Sequence, residues 1–166
     1  MKRLGILGLS AMLAAGLASS PGSAVAQQKS LKEQLVGTWI LVSCDLKAAD
    51  GTTMPFCANS SGIGSMSLDA SGRSTEVVAP RGRPKFTAGR NSPADEFKAA
   101  ARGMFANFGT WSVSETDKIL HFHIEGALFP NAEGTDNNFP FSIAGDELKI
   151  LDARPNRGGE VWRRAK

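Results

Sequence analysis

Val36-Gly37-Thr38-Trp39-Ile40-Leu41-Val42-Ser43-Cys44 is an apolar and largely β-branched run, a composition typical of a β-strand. Strand alternation divides it into two predicted faces, with Trp39, Leu41 and Ser43 on one and Ile40, Val42, Cys44 and Leu46 on the other. A second Gly-Thr-Trp stands at residues 109–111, and a third tryptophan, Trp162, is followed by two arginines near the end of the chain. These repeats indicate a β-rich protein whose first and last strands carry tryptophan.

The residues before this run have the pattern of an export signal. Lys2 and Arg3 precede an uncharged apolar stretch over residues 4–18, and Ala24-Val25-Ala26 has the small-x-small form of a cleavage site. The apolar stretch is shorter than the roughly 20 residues that span a bilayer. We therefore predict a signal peptide over residues 1–26, a mature chain from Gln27, and a periplasmic or secreted protein without a membrane partner.

Removal of this segment changes the charge of the protein. Lys2 and Arg3 are its only charged residues, so the formal net charge falls from +3 to about +1. A near-neutral mature chain does not favour a nucleic-acid partner. One basic cluster remains in a Gly/Pro-containing loop, either as a solvated loop or as an anion site: Arg81, Arg83, Lys85 and Arg90.

The mature chain has two cysteines, Cys44 and Cys57. An exported chain meets oxidising conditions, and two cysteines allow one intramolecular disulfide, which we predict. The alternatives are a redox or a metal role. Both are disfavoured because the cysteines do not form a Cys-x-x-Cys motif.

Residues 27–166 are predicted to form one domain, an all-β, eight-stranded antiparallel up-and-down barrel with one short inserted helix. Alternating or β-branched segments separated by turn residues predict strands at residues 36–44, 64–69, 73–79, 110–114, 119–126, 139–144, 147–151 and 159–164. A helix is predicted over residues 92–106, with Ser92 as N-cap, and its Phe/Met stripe is expected to pack on its own domain. An eight-stranded barrel encloses either packed side chains or one small ligand.

In order and spacing, several segments resemble the bacterial lipocalin-like domain proteins of the calycin group. They are residues 35–43, the 69–73 hairpin, the helix before Gly109-Thr110-Trp111, His121 with Phe129-Pro130-Asn131, the 145–148 turn, and Trp162-Arg163. The chain departs from the family at Asn138-Phe139-Pro140-Phe141, where an arginine is common. The resemblance implies that Trp39 closes one end of the barrel and that a basic residue of the last strand, Arg163 or Arg164, packs over it.

The apolar strand faces suggest what the interior would bind. They form either a solid core or the lining of a cavity. If they line a cavity, the candidate ligand-binding residues are Met66, Leu68, Trp111, Phe122, Ile124, Phe139 and Phe141. The expected partner is a small apolar or amphipathic molecule.

The two histidines are the other candidates for chemistry. His121, His123 and Glu125 alternate on one predicted strand face, but a third metal ligand would have to come from another strand. We predict no metal, no cofactor and no catalytic residue.

Two further functions stay open. One is a periplasmic protease inhibitor or other protein-binding module, with residues 27–34 as a flexible inserting segment. The other is a barrel isomerase or cyclase that uses His121 in its interior.

Overall fold

The computed structural model describes residues 29–60 and 62–166. The predicted signal peptide and the predicted start at Gln27 lie outside the described residues. Within these residues the chain forms eight strands: β1 (Gly37–Cys44), β2 (Ile63–Leu68), β3 (Arg73–Ala79), β4 (Phe105–Ser114), β5 (Ile119–Ala127), β6 (Asp136–Ala144), β7 (Glu147–Leu151) and β8 (Gly159–Arg164). Two α-helices accompany them, α1 (Leu31–Leu35) and α2 (Ala94–Arg102). Neither helix is long and apolar enough to cross a membrane.

The strands form a closed barrel in which each pairs antiparallel with the next along the chain and β8 pairs with β1. This confirms the predicted eight-stranded up-and-down barrel. Closure leaves no unpaired sheet edge, so every strand has hydrogen-bonded neighbours on both sides. The strand ends define two ends of the barrel, which we call the closed end, where β1 begins and β8 ends, and the open end.

A β-bulge in β1 corrects the predicted faces of the opening run. Leu41 is opposite Trp162 and Ser43 is opposite Val161, so Val42 is the extra residue. The bulge reverses the alternation, and Cys44 therefore points inward on the same side as Trp39 and Leu41. Period-two alternation could not predict this, because one inserted residue shifts every side chain that follows it.

The inserted helix is shorter than predicted. It ends at Arg102, and the apolar residues that continued its helical spacing belong to β4, where Phe105 pairs with Val78 and Phe108 pairs with Gly126. Pairing with β3 and β5 satisfies the backbone of β4, and this outweighs the local helical pattern.

None of the α2 side chains is buried. Phe97 packs instead against Phe86 of the preceding loop, with ring centroids 4.7 Å apart, so the stripe contacts its own domain at a loop and not at the buried core. Ser92 accepts a hydrogen bond from the Ala88 N–H rather than capping α2.

Buried side chains fill the closed end of the barrel. Trp39, Trp162, Leu68, Leu120 and Leu148 are completely or almost completely inaccessible there. Helix α1 lies across this end and buries its last residue, Leu35. Consequently the space inside the barrel is at the opposite, open end.

Candidate functional site

The open end contains a cavity of about 270 Å³ between the inner faces of the strands and the loops above them. The apolar part of its wall is formed by Leu46, Met54, Phe56, Phe105, Ala106, Phe122, Ile124, Ala127, Phe129, Ala132, Phe139, Ile150 and Leu151. A concave and mostly apolar space with few polar groups is the usual form of a small-molecule site.

Three of the seven predicted ligand-binding residues line this cavity: Phe122, Ile124 and Phe139. Phe122 and Phe139 lie on neighbouring strands with ring centroids 6.1 Å apart. The other four, Met66, Leu68, Trp111 and Phe141, also point inward and are buried, but they do not line the cavity. Alternation predicts which way a side chain points. It does not predict where along the barrel axis the packed side chains end and the cavity begins.

Two glutamates, Glu76 of β3 and Glu160 of β8, also face the cavity. Glu160 is buried, and its Oε2 accepts a hydrogen bond of 3.2 Å from Trp162 Nε1. Its Oε1 lies 3.6 Å from Cys44 Sγ. A disulfide sulfur carries no hydrogen, so this second contact is a hydrogen bond only when Glu160 is protonated and donates.

The environment of the two glutamates favours their neutral forms. Burial raises the pKa of Glu160 to about 7, although the Trp162 N–H stabilises the carboxylate and opposes the shift. Burial, together with the nearby charge of Glu160, raises the pKa of Glu76 well above its ordinary value. Both carboxyl groups therefore keep their protons to a higher pH than an exposed glutamate does.

The sequence contained a signal for these two residues. Ser74, Glu76 and Val78 are alternate residues of β3 and lie on the same face of the strand. Glu160 lies two residues before buried Trp162 and shares its face of β8. A charged residue on the apolar face of a strand is unusual, because an unpaired buried charge is costly. Scanning the inward faces for acidic residues would have identified both glutamates.

The histidines lie on the outer surface of the barrel. His121 Nδ1 is 2.6 Å from Asn138 Oδ1, and His123 Nδ1 is 2.8 Å from Asp136 Oδ1, in a shallow groove outside β4, β5 and β6. The inward residues of β5 are their neighbours Leu120, Phe122 and Ile124. His121 is therefore not inside the barrel, and this placement removes the basis of the isomerase or cyclase hypothesis.

Among the described residues, one group has three possible metal-ligand atoms within 4.8 Å of one another: Cys44, Cys57 and Glu160. The two sulfurs are bonded to each other in a disulfide. Cysteine binds a metal as a thiolate, so the Cys44 and Cys57 sulfurs cannot serve as ligands while the disulfide is intact, and Glu160 alone remains.

Trp39 and an arginine close the other end, but the arginine is Arg164 and not Arg163. The Arg164 guanidinium carbon lies 4.2 Å from the centre of the Trp39 ring, within cation–π range. The cause is the register: Trp39 is opposite Arg164, whereas Arg163 is opposite outward-facing Ile40. Gly37 leaves the necessary space, since a Cβ there would lie 2.7 Å from Arg164 Nη1.

The N-terminal segment is attached to this closed end. Ser30 and Glu33 form a capping box on α1, and Glu115 accepts hydrogen bonds from the Leu31 and Lys32 N–H groups. Arg164 donates to the carbonyl of Gln34. Residues 30–34 are therefore held against the barrel, unlike the flexible inserting segment of the inhibitor hypothesis. Gln27 and Gln28 lie outside the described residues.

The predicted disulfide between Cys44 and Cys57 is present, with Cα atoms 5.1 Å apart. It connects the end of β1 to the turn Pro55–Ser60 that borders the cavity. A variant with both Cys44→Ala and Cys57→Ala should lose about 2–3 kcal/mol of unfolding free energy, because the unfolded chain gains loop entropy. Urea denaturation measures this difference, and reductant should shift the wild-type midpoint in the same direction. A midpoint that reductant leaves unchanged would contradict the prediction.

A protein-family model described as a lipocalin-like domain matches residues 36–164. The match covers all eight strands and every residue that lines the cavity. No curated protein matches the chain significantly.

Proposed function

The chain belongs to the lipocalin-like domain family, and from this premise we propose that it binds a small apolar or amphipathic molecule in the cavity at its open end. The observation that carries the proposal is the cavity itself, about 270 Å³ of space with mainly apolar walls. Its volume is close to the lower end of the range for small-molecule sites, roughly 300–1,000 Å³, so the ligand is small.

The proposal includes export of the protein. The signal-peptide pattern of residues 1–26 and the cysteine pair both support an oxidising compartment. A carrier or scavenger in the periplasm or outside the cell would meet small molecules that are poorly soluble in water. Burial of apolar ligand surface contributes roughly 25 cal/mol per Å² to such binding.

Native mass spectrometry of protein purified from an exporting host tests both parts. We expect a polypeptide that begins at Gln27, and a non-covalent adduct that is either co-purified or formed with added 1-octanol. In the variant Ala127→Trp the new ring should occupy part of the cavity and weaken octanol binding by about tenfold or more, which corresponds to about 1.4 kcal/mol.

The matched control is Ala144→Trp, which adds the same ring at an exposed position on β6. It should bind octanol as the wild type does. Thermal unfolding verifies that both variants are folded. Equal binding by folded Ala127→Trp and the wild type, or no binding by the wild type, would reject the cavity as the site.

A further inference from the structure

The acidic pair in the cavity has no basic partner among the described residues. Glu160 contacts Trp162 and Cys44. The pKa of Glu76 is raised by burial and by the nearby charge of Glu160, and no basic residue is among the causes. None of the ion pairs found in the described part of the chain involves either residue. Without a counter-charge, ionisation of these two carboxyl groups in an apolar space is unfavourable.

The basic residues at the rim of the cavity are engaged elsewhere. Arg154 forms a bidentate pair with Asp152, with nitrogen–oxygen distances of 2.8 and 2.6 Å. Lys47 Nζ donates to Thr53 Oγ1 at 2.8 Å. The interior of the cavity therefore has acidic groups, and the positive charges of its rim are directed to other acceptors.

We propose that the cavity selects an amphipathic cation, a small molecule with an ammonium group on an apolar body, and that Glu76 and Glu160 bind the ammonium group. This inference rests on the proposed function and names its ligand class. The apolar body would contact the phenylalanine and isoleucine side chains of the wall, among them Phe122, Ile124 and Phe139.

Electrostatics in the cavity favour a cation over an anion or a neutral molecule. A charge pair interacts more strongly in an apolar interior than in water, because the surroundings screen it less. An ammonium group would supply the missing counter-charge to one or both carboxylates. An anionic ligand, such as a fatty acid, would meet two groups of its own sign once they ionise.

Binding of a cation should be linked to proton release from the pair. The groups that face Glu76 from its neighbouring strands are uncharged, Met66 on β2 and Asn107 on β4. Those that face Glu160 are the disulfide sulfur of Cys44 on β1 and Ile150 on β7. The other charged residues of the cavity are those of the rim: Lys47, Asp152 and Arg154. The affinity for a cation should therefore rise as the pH increases through the titration of the pair, by up to about tenfold per pH unit for one proton released.

The test compares octylamine, 1-octanol and octanoate, which share one chain and differ in charge, by isothermal titration calorimetry at about pH 8. We expect octylamine to bind at least about tenfold more tightly than octanol, and octanoate to bind most weakly. At about pH 7 the heat of octylamine binding should depend on the ionisation enthalpy of the buffer, because protons are released. Octanol should show no such dependence.

Two variants assign the effect to the carboxyl groups. Glu76→Gln and Glu160→Gln keep the side-chain shape, and each should lose most of the preference for octylamine while keeping octanol binding. Glu147→Gln, at an exposed position on β7, is the control and should keep the preference.

The inference is overturned if octanol or octanoate binds as tightly as octylamine, or if both glutamine variants keep the preference. Octanol binding without amine preference would leave the proposed function intact. Failure of all three ligands to bind would overturn the proposed function and this inference together.

Discussion

Trp39→Ala should lower the free energy of unfolding by about 3–5 kcal/mol, the usual range for removing a large aromatic side chain from a core. The Trp39 ring is fully buried at the closed end. Its Nε1 donates a 2.9 Å hydrogen bond to the Leu35 carbonyl, and Arg164 covers its face. The substitution would therefore leave a cavity, remove the donor to α1, and leave the guanidinium without its aromatic partner.

Urea denaturation with tryptophan-independent detection, such as far-ultraviolet circular dichroism, measures this loss. Ile40→Ala is the matched control, since Ile40 is the next residue of β1 and is 46% exposed on the outer face. It should lose no more than about 1 kcal/mol. Equal losses for the two variants would show that Trp39 is not part of the cooperative core.

The barrel could be predicted from sequence because each strand carries its own local pattern. Seven of the eight strands have turn residues such as Ala70-Ser71-Gly72 or Gly145-Asp146 at one end, and their alternation agrees with the observed faces over most of their length. The closing tryptophans could be predicted from the resemblance. The choice between Arg163 and Arg164 could not, because it depends on the register between strands that are distant in the sequence.

The parts that sequence reasoning missed depend on long-range pairing. The bulge at Val42 and the early start of β4 at Phe105 result from pairing with other strands. A cavity could not be distinguished from a solid core, because both require apolar residues at alternate positions of the strands. Glu76 and Glu160 do not depend on such pairing, because each is an acidic residue at an inward-facing strand position that alternation alone identifies.

Between about pH 4.5 and about pH 7 the wild-type protein should become less stable as the pH rises, by about 3 kcal/mol from Glu160 alone. The unfolded chain loses the Glu160 proton near its ordinary pKa of 4.5, whereas the native protein keeps it until its raised pKa of about 7. The native state thus binds more protons in this window, and each unit of pKa difference corresponds to about 1.36 kcal/mol. The raised pKa of Glu76 also lowers the free energy of unfolding as the pH increases.

Exposed carboxylates do not produce this effect. Asp69 and Glu125 have lowered pKa values, because Ser71 and Arg73 respectively hold them by hydrogen bonds. Their stabilisation is present at higher pH and is lost as the pH falls through those lowered values. Stability should therefore be greatest near pH 4.5, above the titration of the exposed acids and before the decline caused by Glu76 and Glu160 begins.

Urea titrations at a series of pH values measure the free energy of unfolding of the variant and of the wild type. The difference between the two isolates the substituted glutamate, because the contributions of all other groups are the same in both proteins and cancel. Glu160→Gln should gain stability relative to the wild type as the pH rises from about 5 to about 8. Glu147→Gln, at an exposed position, is the control and should not show this gain. A flat difference for Glu160→Gln would mean that water or a rearranged side chain stabilises the carboxylate in the empty barrel. Saturating octylamine should also flatten the wild-type curve, since a bound ammonium group would supply the counter-charge whose absence makes ionisation of the pair unfavourable.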